Sequence, residues 1–281
     1  MPLSYASLAE MKDELKAVGN VDDVKLLNNG RQASARIDRL FRSLVPFFFP
    51  TIKNLPVPVT STAVNSTAGT LSIPANLLAL TSLTAGDVAV TAVEVYPPYT
   101  SPSRALRLTA DCHDTWYSYQ PCCGKPLLAV INGIFGFHRD YANAWLKVDD
   151  LAAAITTTTA LTFTVADVDG ADAYGRTPRI SAGNLLRIDT EFFEVISTNS
   201  GSNTVTVRRG ANGSTAATHL IGADVEVWQV EEPIKRAVAR QASFMYARKG
   251  TYESAMITDL GMIQFPADLL SEVYGVVQGY T

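Results

Sequence analysis

The spacing of apolar residues changes twice along this chain, and those two changes constrain its fold more than any other feature. Both ends repeat apolar residues at helical intervals. Between residue 51 and residue 229 the apolar residues instead alternate or fall in short runs, cut by prolines and glycines. The pattern predicts an α+β protein. A small helical body comes from the N- and C-terminal helices, and a large antiparallel β region, a sandwich and/or a small barrel, is inserted between them. The predicted divisions are 1–50 with 230–281 for the discontinuous body and 51–229 for the insertion, in two lobes at 51–150 and 156–229.

The terminal segments carry start and stop signals. Ser7 followed by Glu10 is a capping box, and Leu8, Met11, Leu15 and Val18 then share one helical face up to Gly19. Asp22 caps a second helix whose stripe is Leu27, Ile37, Leu40, Phe41 and Leu44, ended by Pro46. Gly30 in its middle costs ~1 kcal/mol against Ala, which predicts fraying or close packing there. Phe47, Phe48 and Phe49 read as a core cluster at the junction with the β region. Near the other end, Glu232 and Pro233 open a third helix with a stripe of Ile234, Ala237, Val238, Ala242 and Met245, stopped at Gly250. Phe265, Pro266, Ala267 and Asp268 start a short last helix with Leu269, Leu270 and Val273.

In the middle, strands are predicted at 70–73, 81–85, 88–95, 105–109 and 127–132, with a turn or bulge separating the out-of-phase pairs Val88/Val90 and Val93/Val95. Prolines belong at strand edges and ends. The stretch 112–125 reads as a long loop. In the second lobe Leu161, Phe163 and Val165 alternate, and strands follow at 185–188, 192–198, 204–208 and 223–228.

At 281 residues the chain can bury one large or two modest cores. With 23 basic and 27 acidic residues and no block of like charge, it lacks the electrostatic footprint of a nucleic-acid binder. Low charge with abundant Thr, Ser and Ala fits β surfaces that end in assemblies, or simply β composition. No apolar stretch reaches the ~18–20 residues that span a bilayer, and the first residues form a polar amphipathic segment without a leader pattern. The expectation is a protein made in the cytoplasm with no membrane partner. Three cysteines, an odd number, argue against a disulfide framework.

Residues able to carry chemistry do not combine into a site. Cys112, His113, Cys122 and Cys123 have the atom types zinc takes but lack the paired spacing, so an unliganded loop is the expectation. Asp111, His113 and Asp114 resemble part of an acid–base cluster with no nucleophile motif beside them. The DVDG run at 167–170 begins like a calcium loop and lacks the acidic ligand that would complete it. His138 and His219 read as hydrogen-bonded structural groups, and Arg208 with Arg209 as a solvated turn or an inter-subunit salt bridge. The chain therefore reads as no enzyme, with no metal and no cofactor.

The termini resemble the head–tail connector, or adaptor, family of tailed bacteriophages. The residues that carry the resemblance are SLAEMKDELKAVGNVDDVKLLNNGRQASARIDRLF in front and EEPIKRAVARQASFMYARKG with FPADLLSEVYGVVQGY behind. LLRIDTEFFEVIST and NTVTVRRGANGSTAATHLIGADVEVW are similar to a small β unit of neck and tail proteins, and INGIFGFHRDYANAW to the segment between β parts of adaptors with an insertion. The Arg-Gly…Ser/Thr-Ala…His…Gly pattern is the most specific of these. The insertion is far longer than in the minimal all-helical adaptors.

The resemblance implies a structural protein of the virion neck. A homo-oligomeric ring, usually of twelve copies, sits under the portal protein and extends the DNA channel. It also gives a platform to the next neck protein, a stopper or tail terminator. Double-stranded DNA passes through the lumen without sequence-specific binding, and a mildly acidic chain suits that, because strong Lys/Arg contacts to phosphates would retard it. The expected portal-docking residues are Phe265, Leu269, Leu270, Tyr274 and Tyr280, on a chain end suited to a partner groove. Leu27, Ile37, Leu40, Ile234, Val238 and Met245 are expected to pack helices between subunits, because so small a helical body leaves its stripes uncovered. The rival readings are another phage neck or tail protein, an adhesin or glycan-binding module with Trp116, Tyr117 and Tyr119 as its sugar platform, or, ranked last, a hydrolase using Asp111, His113 and Asp114.

Overall fold

The computed structural model describes residues 3–16, 19–42, 45–86, 88–98, 100–109, 116–119, 127–247, 255–258, 261–264 and 269–280. Helix α1 (Leu8–Leu15) opens on the expected capping box: Ser7 Oγ accepts from Glu10 N at 3.3 Å and Glu10 Oε2 accepts from Ser7 N at 2.7 Å. It stops earlier than Gly19, because Lys16 itself takes the left-handed cap at φ 51°. Helix α2 (Asp23–Phe41) likewise ends on left-handed Arg42 ahead of Pro46. Asp22 stands at its N-cap without bonding the helix amides; its carboxylate accepts from Tyr246 at 2.6 Å and pairs with Lys25 at 2.9 Å.

The chain divides into two compact units. Ser43–Ala144 and Asn212–Ser214 form one, and the remainder forms the other. In the first, β1 (Thr51–Pro58), β2 (Val64–Asn65), β3 (Thr70–Ala85), β4 (Val88–Ala89), β5 (Val93–Tyr96), β6 (Ser103–Leu108) and β7 (Leu128–Phe135) make one antiparallel sheet. Its order is β1-β7-β3-β6-β5, with β2 and β4 also paired to β3. Pro56 and Pro58 lie on the edge strand β1, where a missing N–H costs no ladder bond. Pro74 sits inside β3, and there the ladder to β6 jumps from Ser72 to Leu77. The turn expected between the two valine pairs separates β4 from β5. Leu55, Leu71, Leu83, Leu106, Trp116 and Ile131 are buried together. Phe47 and Phe48 are buried against Phe137, with ring centroids 5.2 and 5.7 Å away.

The other unit holds β8 (Trp145–Asp150), β9 (Thr162–Thr164), β10 (Leu185–Ile188), β11 (Glu191–Asn199), β12 (Thr204–Arg208) and β13 (Asp224–Trp228). Their order is β8-β13-β10-β11-β12-β9, all antiparallel. The sheet curls until its two outer strands nearly meet. A single bridge, Leu151 to Val165, joins their ends, so the sheet stops short of a closed barrel. Phe163, Phe193, Val195, Val205, Val207 and Val225 fill its interior. Leu161 breaks the expected alternation: it precedes β9 and is 60% exposed.

Helix α3 (Glu232–Ala247), the hairpin β14 (Ala255–Thr258) with β15 (Gly261–Gln264), and α4 (Ser271–Gln278) follow in the same unit. The last helix begins after Leu270; the expected start at 265–268 lies outside the described residues. Helices from both chain ends join: Glu10 pairs with Lys235 at 3.2 Å, and Asp22 accepts from Tyr246. They are also fixed to the curled sheet. Leu8 N donates to Ala182 O at 2.8 Å, Ala9 N to Ser181 Oγ at 3.2 Å, and Arg31 of α2 pairs with Glu194 of β11 at 2.7 Å. The compact units therefore divide the chain differently from the expected boundaries: most of the lobe at 156–229 groups with the helices, because polar bonds and burial tie it there. The fold is α+β with a large β region, and no helix among the described residues is long and apolar enough to cross a membrane.

Gly30 shows the close packing its position suggested. A Cβ there would lie 2.5 Å from Ser4 Oγ and 2.7 Å from Met11 Sδ, both buried. Gly30→Ala should therefore lower stability, despite a better helix propensity, by the ~1–3 kcal/mol typical of overpacking. Urea unfolding followed by circular dichroism measures this, and a stabilised variant would contradict the packing.

Candidate docking surface on the helical body

Burial decides which helical residues can meet a partner. Leu27, Ile37, Ile234 and Val238 are buried within the single chain. Leu27 lies against Gly183, which takes φ +91° and where a Cβ would come within 3.0 Å of Leu27 Cδ1. These four therefore need no neighbouring copy, which corrects the expectation that they pack between subunits. The reason is that α2 and α3 cover each other's stripes, while α1 and the curled sheet cover the rest. Met245 is half-buried, and Leu40, 38% exposed, is the one residue of the six that faces solvent.

The C-terminal segment is similarly divided. Val273 and Val277 are buried, Leu270 N donates to Gln241 Oε1 at 2.9 Å, and Glu272 pairs with Arg240 of α3. Tyr280 donates its hydroxyl to Glu231 at 2.8 Å, so this expected docking residue is engaged by its own chain. Leu269 and Leu270 are half-buried, and Tyr274 is 46% exposed. Phe265 lies outside the described residues. Between α3 and α4 runs a cavity of about 330 Å³ walled by Pro233, Ala237, Val273 and Val276. At 100° per residue, Tyr274 projects from the flank of α4 away from the cavity-lining Glu272 and Val276.

The most specific sequence pattern of the second lobe turns out to be a buried lock. Glu191 at the start of β11 is fully buried; Arg209 chelates it through Nε at 2.9 Å and Nη2 at 2.6 Å. Gly210 N and Ala217 N donate to it at 3.2 and 2.8 Å, and His219 Nε2 stands 3.0 Å away. The other ring nitrogen meets Asp189 at 2.7 Å. Arg209 also donates to Thr157 O at 2.5 Å and to Ala217 O. Burial pushes the Glu191 carboxyl up; Arg209, His219 and the two amides outweigh that and hold it below the ordinary carboxylate range. Arg209 is thus neither a solvated turn residue nor an inter-subunit pair, and Arg208 bonds Glu194 at 2.7 Å in the same chain. His219 is the structural group expected, and His138 Nδ1 accepts from Asp140 N at 3.0 Å.

The remaining candidates fall away from any common site. Asp167 spends its carboxylate on the amide of Gly170 at 3.0 Å and on Arg179 at 2.9 Å. Trp116 is buried with Nε1 donating to Gly69 O at 3.0 Å, which removes the central ring of the supposed sugar platform. Tyr117 is exposed and Tyr119 half-buried. Asp111, Cys112, His113, Asp114, Cys122 and Cys123 lie outside the described residues. Sequence reasoning missed the α3–α4 cavity and two exposed aliphatic residues, Leu220 and Ile221, on the turn after His219. A signal for the latter existed: two adjacent aliphatics in a turn-rich stretch just before Gly222.

A scan against protein-family models finds no match for the chain, and a search of the curated proteins finds none either.

Glu191→Gln or Arg209→Ala should cost about 3–5 kcal/mol, the scale of leaving one member of a buried ion pair alone. Thermal melting checks this; a loss below ~1 kcal/mol would mean the network adds little. The depressed carboxyl also fixes a pH response. Its stabilisation is complete above the unfolded value of about 4.3 and is lost as pH falls through the lower folded value. Wild type should therefore lose stability below about pH 4 more steeply than Glu191→Gln, in melts run from pH 6 downward.

Proposed function

We propose that this protein is a structural head–tail adaptor of a tailed phage. On this reading it is made in the host cytoplasm and forms a ring beneath the portal in the virion neck. The ring extends the DNA channel and carries the next neck or tail protein. The observation that supports the reading best is the joining of both chain ends into one helical body, with α4 folded back on α3 and the β material between them. That is the plan the resembling terminal segments imply. Among the described residues, the buried Glu191 and Glu194 are each held by arginines of the same chain, a bracing that suits a scaffold.

The docking element of this reading is narrower than the whole C-terminal segment. Val273 and Val277 hold α4 in place, and Tyr274, with Leu269 and Leu270, offers what surface remains. Partly exposed Tyr and Leu on a fixed helix are suited to anchoring in a portal groove.

Mixing the purified protein with portal-bearing, tail-less capsids and imaging the vertex tests the function. A ring on the portal vertex is expected; capsids left bare at saturating protein would overturn the reading. Tyr274→Asp should weaken attachment about tenfold or more, equivalent to ~1.4 kcal/mol, with an unchanged melting temperature. Attachment at the wild-type level would remove Tyr274 from the interface.

A further inference from the structure

We propose that Asp189 and His219 form a proton-operated latch beside the Leu220–Ile221 turn, closed while the His219 ring carries a hydrogen on both nitrogens and open once it loses one. The latch does not depend on the adaptor reading.

Both ring nitrogens of His219 meet carboxylate oxygens: Nδ1 meets Asp189 at 2.7 Å and Nε2 meets Glu191 at 3.0 Å. A carboxylate only accepts, and a neutral imidazole has one N–H to give. Both contacts are therefore hydrogen bonds only when the ring is an imidazolium. Glu191 cannot supply the missing hydrogen, because Arg209 and the amides of Gly210 and Ala217 hold it ionised. Water cannot supply it at the inner contact either, since His219 and Glu191 are both buried. The charged groups facing the ring are Asp189 from the turn between β10 and β11, Glu191 from β11, and Arg209 from the loop after β12. Phe193 packs against the ring at 5.7 Å, and Ile155, its backbone partner, brings no charge.

The two carboxylates respond differently when the ring loses a proton. The Asp189 side chain is 61% exposed, and among the described residues His219 is its one side-chain partner. Glu191 has no access to water. The neutral ring therefore keeps its Nε2–H on Glu191 and leaves Nδ1 bare, and the Asp189 carboxylate turns away from that lone pair into solvent. The latch is closed on the acid side of the ring's titration and opens as pH rises through it. Leu220 follows His219 directly, and Leu220 and Ile221 are 79% and 67% exposed. The backbone bonds between His219 and Ile155, and from Gly222 N to Leu151 O, involve no titrating group and persist in both states. Opening thus removes the tie between two adjacent turns without unfolding either, and it changes how firmly an exposed aliphatic pair is presented.

The test is nitrogen NMR of the full-length protein from about pH 5 to about pH 9, a span that brackets an ordinary histidine. His219→Gln assigns the ring signals among the three histidines. At the acid end both ring nitrogens of His219 should carry hydrogen. At the alkaline end Nδ1 should be bare, and the backbone amide signals of Asp189, Thr190, Leu220 and Ile221 should move along the same curve. Asp189→Asn keeps a residue that tolerates the left-handed φ of 51° and offers an amide that can donate to a bare Nδ1. In that variant the ring should titrate at lower pH, and the Leu220 and Ile221 amides should lose their response. A ring that keeps both hydrogens, or only one, across the whole span would overturn the latch. So would a titrating ring that leaves the Leu220 and Ile221 amides unmoved, or an Asp189→Asn protein that titrates as the wild type does.

Discussion

A carboxylate withdrawn from water costs several kcal/mol unless cations and amides surround it, and β11 withdraws two of them. Glu191 and Glu194 sit on one strand, both buried. Each collects partners from distant parts of the chain. Glu191 gathers Arg209, Gly210, Ala217 and His219 and so fixes the loop after β12. Glu194 takes Arg208 from β12 and Arg31 from α2, and so fixes a terminal helix to the sheet. The second unit depends on this strand for its loop geometry and for part of its helix–sheet attachment.

That attachment changes where assembly contacts can lie. With α2 laid against α3 and both backed by sheet and α1, the helical stripes are satisfied inside one chain, as four buried residues on two helices show. Surface available to partners is then what this packing leaves over, which includes Val21, Val24, Leu40, Tyr274, the α3–α4 cavity and the turn at Leu220 and Ile221. A rigid turn and a preformed cavity suit association better than stripes that would have to be exposed first, because little order remains to be imposed.

Much of the fold was legible because local rules governed it. The capping box at Ser7 and Glu10, Pro233 in the first turn of α3, the alternation of Val205 and Val207 and the turn between β4 and β5 all follow from contacts a few residues apart. Leu161 misled because one face of alternation continues past the end of its strand. Asp22 looked like a cap and is instead held by Tyr246, more than two hundred residues away in sequence. Arg209 looked solvated because nothing near it in sequence shows that Glu191 lies beneath it.

The sequence by itself determined the α+β class and the placement of helices at both ends with antiparallel β structure between them, since these depend on periodicity and on short-range spacing. Only the tertiary structure decided that the second lobe belongs with the helices, that four of the six expected subunit-packing residues are already covered, and that His219 and Arg209 close over one carboxylate. Each of those depends on which distant surfaces meet. Burial and ion pairing are settled by that meeting, and a linear pattern carries no record of it.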